Sequence, residues 1–144
     1  ITGIQTNGHT LKNADEPRNT MYLFDYNGVK VLHLGDLNRV PSQAEVEEIG
    51  PVHVALVPVG AGGSLTAIKA TEVISLLEPN IVVPMHYATA HSTNTLIKLE
   101  PLSKFLKEMG LGSVESVPSL KIPSTGSLPD ETRVVVLEYQ KNKQ

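Results

Sequence analysis

The chain has 144 residues, of which 40% are hydrophobic and 19% are charged, values typical of an ordinary globular protein that forms one domain over residues 1–144. Its formal net charge of −3 gives no reason to expect nucleic acid or a membrane surface as a partner, and no apolar run approaches the ~20 residues that cross a bilayer. Cysteine is absent, which excludes disulfides, thiol catalysis and cysteine-ligated metal sites.

The first part of the sequence predicts three strands and a hairpin. Asn27-Gly28 tolerates the positive φ angles of a tight two-residue turn, so the strands on either side of it should pair antiparallel. A polar turn that carries His9 follows the first strand. The predicted strands are Ile1–Gln5, Thr20–Tyr26 and Val29–Leu34.

The third of these strands ends at Gly35-Asp36. Gly35 allows the backbone to turn, and Asp36 stands where the apolar run stops. A carboxylate at the carboxyl end of a strand lies at the edge where open α/β folds bind ligands. Asp36 could equally cap a turn, so its role depends on the rest of the chain.

The middle of the sequence alternates helices with apolar strands. Ser42 and Glu45 form a capping box that predicts a helix start, and a glycine-rich loop, Gly60–Gly63, follows the most apolar strand. His86 and Tyr87 stand directly after the last strongly apolar strand. The predicted helices are Gln43–Ile49 and Ala67–Leu77, and the predicted strands are Val52–Val59 and Ile81–Met85.

The last part of the sequence predicts one more helix and several short strands. Apolar residues recur at helical spacing from Leu99 to Met109. Strand-like runs follow at Val114–Val117, Ser119–Ile122 and Arg133–Tyr139. The order of the elements predicts an α/β domain in which helices are layered over a sheet.

Three polar residues occupy the same kind of position in this pattern. His9 follows the first predicted strand, Asp36 the third, and His86 the last strongly apolar one. Imidazole and carboxylate groups together are usual ligands of zinc, manganese or iron. His9 alone could be an exposed turn residue, whereas the imidazole of His86 closes an apolar strand and needs a polar partner.

Five short motifs, in this order, resemble the second half of a metallo-β-lactamase-fold hydrolase. The resemblance extends from about Gly3 to Tyr139 and is closest to the branch of ascorbate-6-phosphate lactonases and uncharacterised metal-dependent hydrolases. The motifs are Gly8-His9, Arg18-Asn19, His33-Leu34-Gly35-Asp36, Val57-Pro58-Val59-Gly60 and Pro84-Met85-His86-Tyr87.

The resemblance implies an αββα sandwich with a site for two divalent metal ions, zinc first and manganese or iron as alternatives. His9 then corresponds to the third histidine of the first metal, His86 to the last histidine of the second, and Asp36 to the catalytic carboxylate that bridges both. The implied reaction is hydrolysis of a small ester, lactone or phosphoester by a metal-activated water in a cytoplasmic enzyme.

The resemblance suggests lesser roles for three more residues. His33 could support the metal ligands from behind or pack in the core. Tyr87 could border the substrate. Arg18 could bind an anionic substrate or form a salt bridge with the hairpin. His53 and His91 are expected to have no part in the site.

The sequence departs from the family in one respect, because the His-x-His-x-Asp-His signature does not occur in it. We therefore interpret the chain as the C-terminal portion of such a domain, without its first strands. Such a portion should bind metal weakly and have little activity. We also expect Ile4, Leu23 and Val31 to form an exposed face, and the chain to associate with itself or with the N-terminal half of the domain.

Three alternatives remain open. The chain could be a non-catalytic binding or oligomerisation module that kept the fold, although such a module has no need of His9, Asp36 and His86 together. It could come from a phosphodiesterase or nuclease of the same superfamily, against which the acidic balance argues. Nucleotide binding at Gly60–Gly63 is a third reading, but the G-x-G-x-x-G spacing is missing.

Overall fold

A computed structural model of the chain describes residues 1–6, 18–92 and 96–139. It contains short helices and strands, as the sequence predicts for an α/β chain. No helix in these described ranges is long and apolar enough to cross a membrane. The elements are β1 (Thr2–Gln5), β2 (Thr20–Tyr26), β3 (Val29–His33), α1 (Gln43–Ile49), β4 (Val54–Pro58), α2 (Ala67–Leu77), β5 (Ile81–Met85), α3 (Leu102–Glu108), β6 (Ser116–Val117), β7 (Arg133–Val134) and β8 (Val136–Leu137), with a 3-10 turn at Thr125–Ser127.

A mixed sheet of six strands organises the fold, in the order β1-β2-β3-β4-β5-β7. The first three strands pair antiparallel, with the predicted Asn27-Gly28 turn between β2 and β3 at φ angles of 50° and 83°. From β3 to β7 the pairing is parallel, which requires crossovers, and α1, α2 and α3 lie in these connections. The carboxyl ends of β1, β3, β4 and β5 therefore meet at one edge. We call this edge the rim; it consists of Thr6 and residues 34–37, 59–66 and 86–88.

One face of the sheet is covered by the helices and forms the main core. Because strand side chains alternate between faces, Leu32, Ala55 and Val82 lie side by side on this face, and all are fully buried. They pack with the apolar sides of α2 and α3, including Phe105. Burial of this aliphatic surface is the main stabilising contribution to the fold.

The opposite face is apolar but only partly covered. We call it the open face; its residues are Tyr22, Phe24, Tyr26, Val29, Val31, His33, Val54, Leu56, Ile81 and Val83. The C-terminal segment packs Leu120, Ile122 and Leu137 against its β4–β5 side. On the β2 side, Tyr22, Phe24 and Tyr26 are 47%, 39% and 77% exposed.

The expectation that Ile4, Leu23 and Val31 form an exposed face is wrong for Ile4 and Leu23. Ile4 pairs with Met21, and Leu23 pairs with Leu32, so both side chains lie on the helix-covered face. Ile4 is 5% exposed and Leu23 is half-buried against the main core. Val31 alone lies on the open face, because the two-residue period of the strand places it opposite to Leu32.

The predicted elements before residue 90 are confirmed with small changes at their ends, and the later ones differ more. The helix expected from Leu99 begins at Leu102, because Pro101 disfavours a helical conformation for Glu100. The expected strand Ser119–Ile122 is wrong, since Leu120 and Ile122 pack on the open face without pairing. The expected strand Arg133–Tyr139 is two short strands, β7 and β8, that pair in different sheets.

Candidate metal centre

Asp36 stands in a tight turn that begins where β3 ends. Gly35 has a φ of 62°, and a Cβ at this position would lie 2.6 Å from the side-chain oxygen of Asn19. Only glycine therefore fits between the turn and Asn19. The Asp36 side chain is 75% exposed at the rim.

Asn19 holds this turn from below with its buried side-chain amide. Its Nδ2 donates hydrogen bonds to the Leu34 carbonyl at 3.0 Å and to the Thr6 hydroxyl at 3.2 Å. Its Oδ1 accepts a hydrogen bond from the Asp36 backbone N–H at 2.8 Å. One amide thus joins the ends of β1 and β3 and fixes the backbone of Asp36.

Ser64 reaches Asp36 from the glycine-rich loop after β4. The loop closes on itself through hydrogen bonds from Ala61 N–H to the Leu65 carbonyl and from Ser64 N–H to the Ala61 carbonyl. Ser64 is 8% exposed in this loop, and its hydroxyl donates a hydrogen bond to Oδ1 of Asp36.

His86 leaves β5 with a φ of 55°, an unusual value for a residue other than glycine. The neighbouring Gly60 accommodates this turn, since a Cβ there would lie 2.3 Å from the His86 carbonyl oxygen. The imidazole Nε2 of His86 is buried and lies 4.0 Å from Asp36 Oδ1. Nε2 has no hydrogen-bond partner in the described part of the chain. A buried nitrogen without a partner is costly unless it serves a ligand.

This pair fits part of a metal-binding site. An imidazole nitrogen and a carboxylate oxygen face the same space, and both are donors that zinc, manganese and iron accept. Within the described ranges no group of three or more histidine, aspartate or glutamate side chains could hold a metal ion. His9, the third predicted ligand, falls in 7–17 and is outside the described residues, so the complete ligand set stays a prediction.

The remaining predicted site residues are His33, Tyr87 and Arg18. His33 Nδ1 accepts a hydrogen bond from the Gly35 N–H at 3.0 Å, which supports the turn that carries Asp36. Burial raises the pKa of the Tyr87 phenol, and Tyr139 adds to the rise, so the half-buried phenol stays a neutral hydrogen-bond donor. Arg18 is exposed, and it forms no ion pair with the hairpin among residues 1–6, 18–92 and 96–139.

The two histidines expected to lie outside the site have other contacts. His53 Nδ1 accepts a hydrogen bond from Lys30 N–H at 2.9 Å, between neighbouring strands. His91 packs edge-on against Tyr139, with ring centroids 5.5 Å apart. The sequence did not single out Asn19 or Ser64 as site residues, although Asn19 belongs to a recognised motif and Ser64 ends the glycine run.

Residues 1–86 match the family model described as "Beta-lactamase superfamily domain". The chain belongs to this superfamily. Curated relatives include proteins named "UPF0173 metal-dependent hydrolase" from Thermococcus onnurineus and Thermococcus kodakarensis, 36% and 38% identical over 69 residues. Each alignment covers 47% of this chain and 31% of the relative.

Solved structures extend the similarity over most of the chain. A candidate Zn-dependent hydrolase of the metallo-β-lactamase superfamily from Thermotoga maritima is 36% identical, with a TM-score of 0.78 over 96% of this chain and 64% of that protein. A candidate metal-dependent hydrolase from Parabacteroides distasonis shares the fold, with a TM-score of 0.54 at 16% identity. The chain thus spans less than two thirds of these relatives, and the predicted fold class is confirmed.

Proposed function

We propose that this chain provides part of the active site of a metal-dependent hydrolase. The observation that carries the proposal is the approach of His86 Nε2 to Asp36 Oδ1, at 4.0 Å on the rim, where this nitrogen has no hydrogen-bond partner among the described residues. The relatives named metal-dependent hydrolases, at 36% and 38% identity, support it.

We assign His9, Asp36 and His86 as ligands of two divalent ions, with zinc preferred over manganese or iron and with Asp36 shared between the ions. When bound, such ions lower the pKa of a water molecule and polarise a carbonyl or phosphoryl oxygen. Asp36 suits a shared position because its side chain is 75% exposed and can present both oxygens. His86 presents its nitrogen from the end of a buried strand, which limits its motion.

The substrate we propose is a small ester, lactone or phosphoester, with lactonase-like specificity as one form of it. Arg18 lies just before β2, whose first residue is at the rim edge of the sheet, and its exposed guanidinium is available to an anionic group. Tyr87 follows His86 directly and offers a neutral hydroxyl. His33 contributes by holding the turn that carries Asp36.

We also propose that further polypeptide covers the open face in the assembled protein. The exposed aromatic side chains of Tyr22, Phe24 and Tyr26 form an apolar surface, and monomers rarely leave such a surface uncovered. The relatives are longer than the matched region, since this chain covers 64% of the Thermotoga maritima protein. The proposed occupant is the additional part of the same domain.

Zinc titration by calorimetry tests the metal site in the 144-residue chain. We expect weak binding, because the chain supplies few ligands, and a further loss of at least ~10-fold in Asp36→Asn and in His86→Ala, because each removes a direct donor. His91→Ala is the matched control, since this histidine is exposed in a loop. Equal zinc affinity in the wild type and both site variants would contradict the assignment of Asp36 and His86 as ligands. Tight binding of two ions would contradict the expectation that this chain supplies few of the ligands.

A further inference from the structure

We propose that Ser64 is a positioning residue, which fixes the Asp36 carboxylate in the orientation that faces His86. The inference rests on the proposed metal site and adds a residue to it. Ser64 lies in the loop that follows β4, 28 residues after Asp36 in the sequence, and it is nearly buried.

Asp36 requires such a partner because, in the described part of the chain, packing does not hold its side chain. Asn19 and the Gly35 turn fix the backbone of Asp36, but a side chain that is 75% exposed can rotate about χ1. In the described ranges the Asp36 carboxylate accepts a hydrogen bond from the Ser64 hydroxyl.

Ser64 suits this task because its own position is fixed. The backbone N–H of Ser64 is hydrogen-bonded to the Ala61 carbonyl at 3.2 Å, and the next residue, Leu65, is fully buried in the main core. Thr66 then caps α2 through a hydrogen bond from Lys69 N–H to its hydroxyl at 3.2 Å. The hydroxyl therefore projects from a frame tied to the core and to a helix.

The oxygen of Asp36 that Ser64 contacts also supports a positioning role for Ser64. Ser64 binds Oδ1, and Oδ1 is the oxygen that lies 4.0 Å from His86 Nε2. A hydroxyl that donates to a carboxylate forms a charge-assisted hydrogen bond and leaves further lone pairs on that oxygen for a cation. Ser64 thus selects the rotamer of Asp36 in which the two proposed ligands face each other.

The experiment measures the Asp36 rotamer directly in the 144-residue chain labelled with ¹³C and ¹⁵N. Three-bond couplings from the Asp36 Cγ to the backbone N and C′ report χ1. We expect couplings of a single rotamer in the wild type and in Ser64→Thr, which keeps the hydroxyl, and averaged couplings in Ser64→Ala. Ser75→Ala, an exposed serine of α2, should match the wild type.

Zinc affinity is the second measurement, with an expected loss of ~10-fold in Ser64→Ala and recovery in Ser64→Thr. Averaged couplings in the wild type, or a single rotamer in Ser64→Ala, overturn the proposal. Where Ser64→Ala does not fold, averaged couplings in the wild type still overturn it. Zinc binding that is independent of Asp36, beside the expected couplings, overturns the metal site but leaves the positioning by Ser64 intact.

Discussion

Asn19 carries more of the local structure than its single amide suggests. Its side chain makes three hydrogen bonds while 7% exposed, to the Thr6 hydroxyl, the Leu34 carbonyl and the Asp36 N–H. In addition, its backbone carbonyl accepts a hydrogen bond from Thr6 N–H at 3.0 Å. Because these groups are buried, loss of the amide leaves several of them without a partner.

Asn19→Ala should lower the free energy of unfolding by about 3 kcal/mol, since three hydrogen bonds are lost and each leaves a desolvated group. Asn80→Ala is the matched comparison, because the Asn80 amide donates one hydrogen bond, to the Pro129 carbonyl at 3.0 Å. It should cost about 1 kcal/mol. Urea unfolding followed by circular dichroism gives both values. Similar losses in the two variants would show that the Asn19 network adds nothing to stability.

Among single residues, the sequence points to the candidate ligands Asp36 and His86 more clearly than to Asn19 and Ser64, which hold Asp36 in place. Asp36 and His86 are visible because each ends an apolar strand, and the parallel order of the strands brings them to one edge. Asn19 and Ser64 act on Asp36 across 17 and 28 residues. Such contacts depend on the three-dimensional path of two loops, which a local pattern does not encode.

Among the elements, α1 is linked to Thr6, the residue after β1, through Arg39. Arg39 binds the Glu45 carboxylate through two hydrogen bonds, of 2.6 and 2.8 Å, and also donates to the Thr6 carbonyl. Glu45 completes the predicted capping box by accepting from the Ser42 N–H at 2.7 Å. The hydrogen bonds from Arg39 lower the pKa of Glu45 from 4.5 to about 2, although burial opposes them.

Glu45 should make the stability of the chain depend on pH. Its folded pKa lies below its unfolded value, so the ionised carboxylate stabilises the fold above pH 4.5, and this contribution is lost as the pH falls from 4.5 towards about 2. Glu45→Gln should therefore lower the melting temperature at neutral pH and have little effect near the folded pKa. Glu48→Gln, exposed on the same helix, is the control. A Glu45→Gln effect that stays constant over this pH range would contradict the ion pair.

The elements that the sequence predicts well are those with local signals. The Asn27-Gly28 turn and the Ser42 capping box each depend on residues a few positions apart, and both are found. The C-terminal strands are predicted poorly because their pairing is decided by distant partners. Val135 stands between β7, which pairs with β5, and β8, which pairs with β6.

In the described part of the molecule, helices cover one face of the sheet, whereas the open face is only partly covered. The open face presents Tyr22, Phe24 and Tyr26 beside Val29 and Val31, while the helices cover the opposite side. Two sheets that pack face to face bury such side chains about 10 Å apart. The sequence predicts the sandwich but assigns Ile4 and Leu23 to the wrong face, because the register between strands is set only when they pair.

Without a covering layer, the purified 144-residue chain should associate through the open face, because the association removes apolar surface from water. Size-exclusion chromatography with light scattering should therefore give a mass above the 15.5 kDa of the monomer, or aggregates. The double variant Phe24→Lys and Tyr26→Lys should shift the population towards monomer, since lysine resists burial. Leu76→Lys, at an exposed position on α2, should leave the association unchanged. A wild-type monomer that melts cooperatively would show that the open face needs no cover.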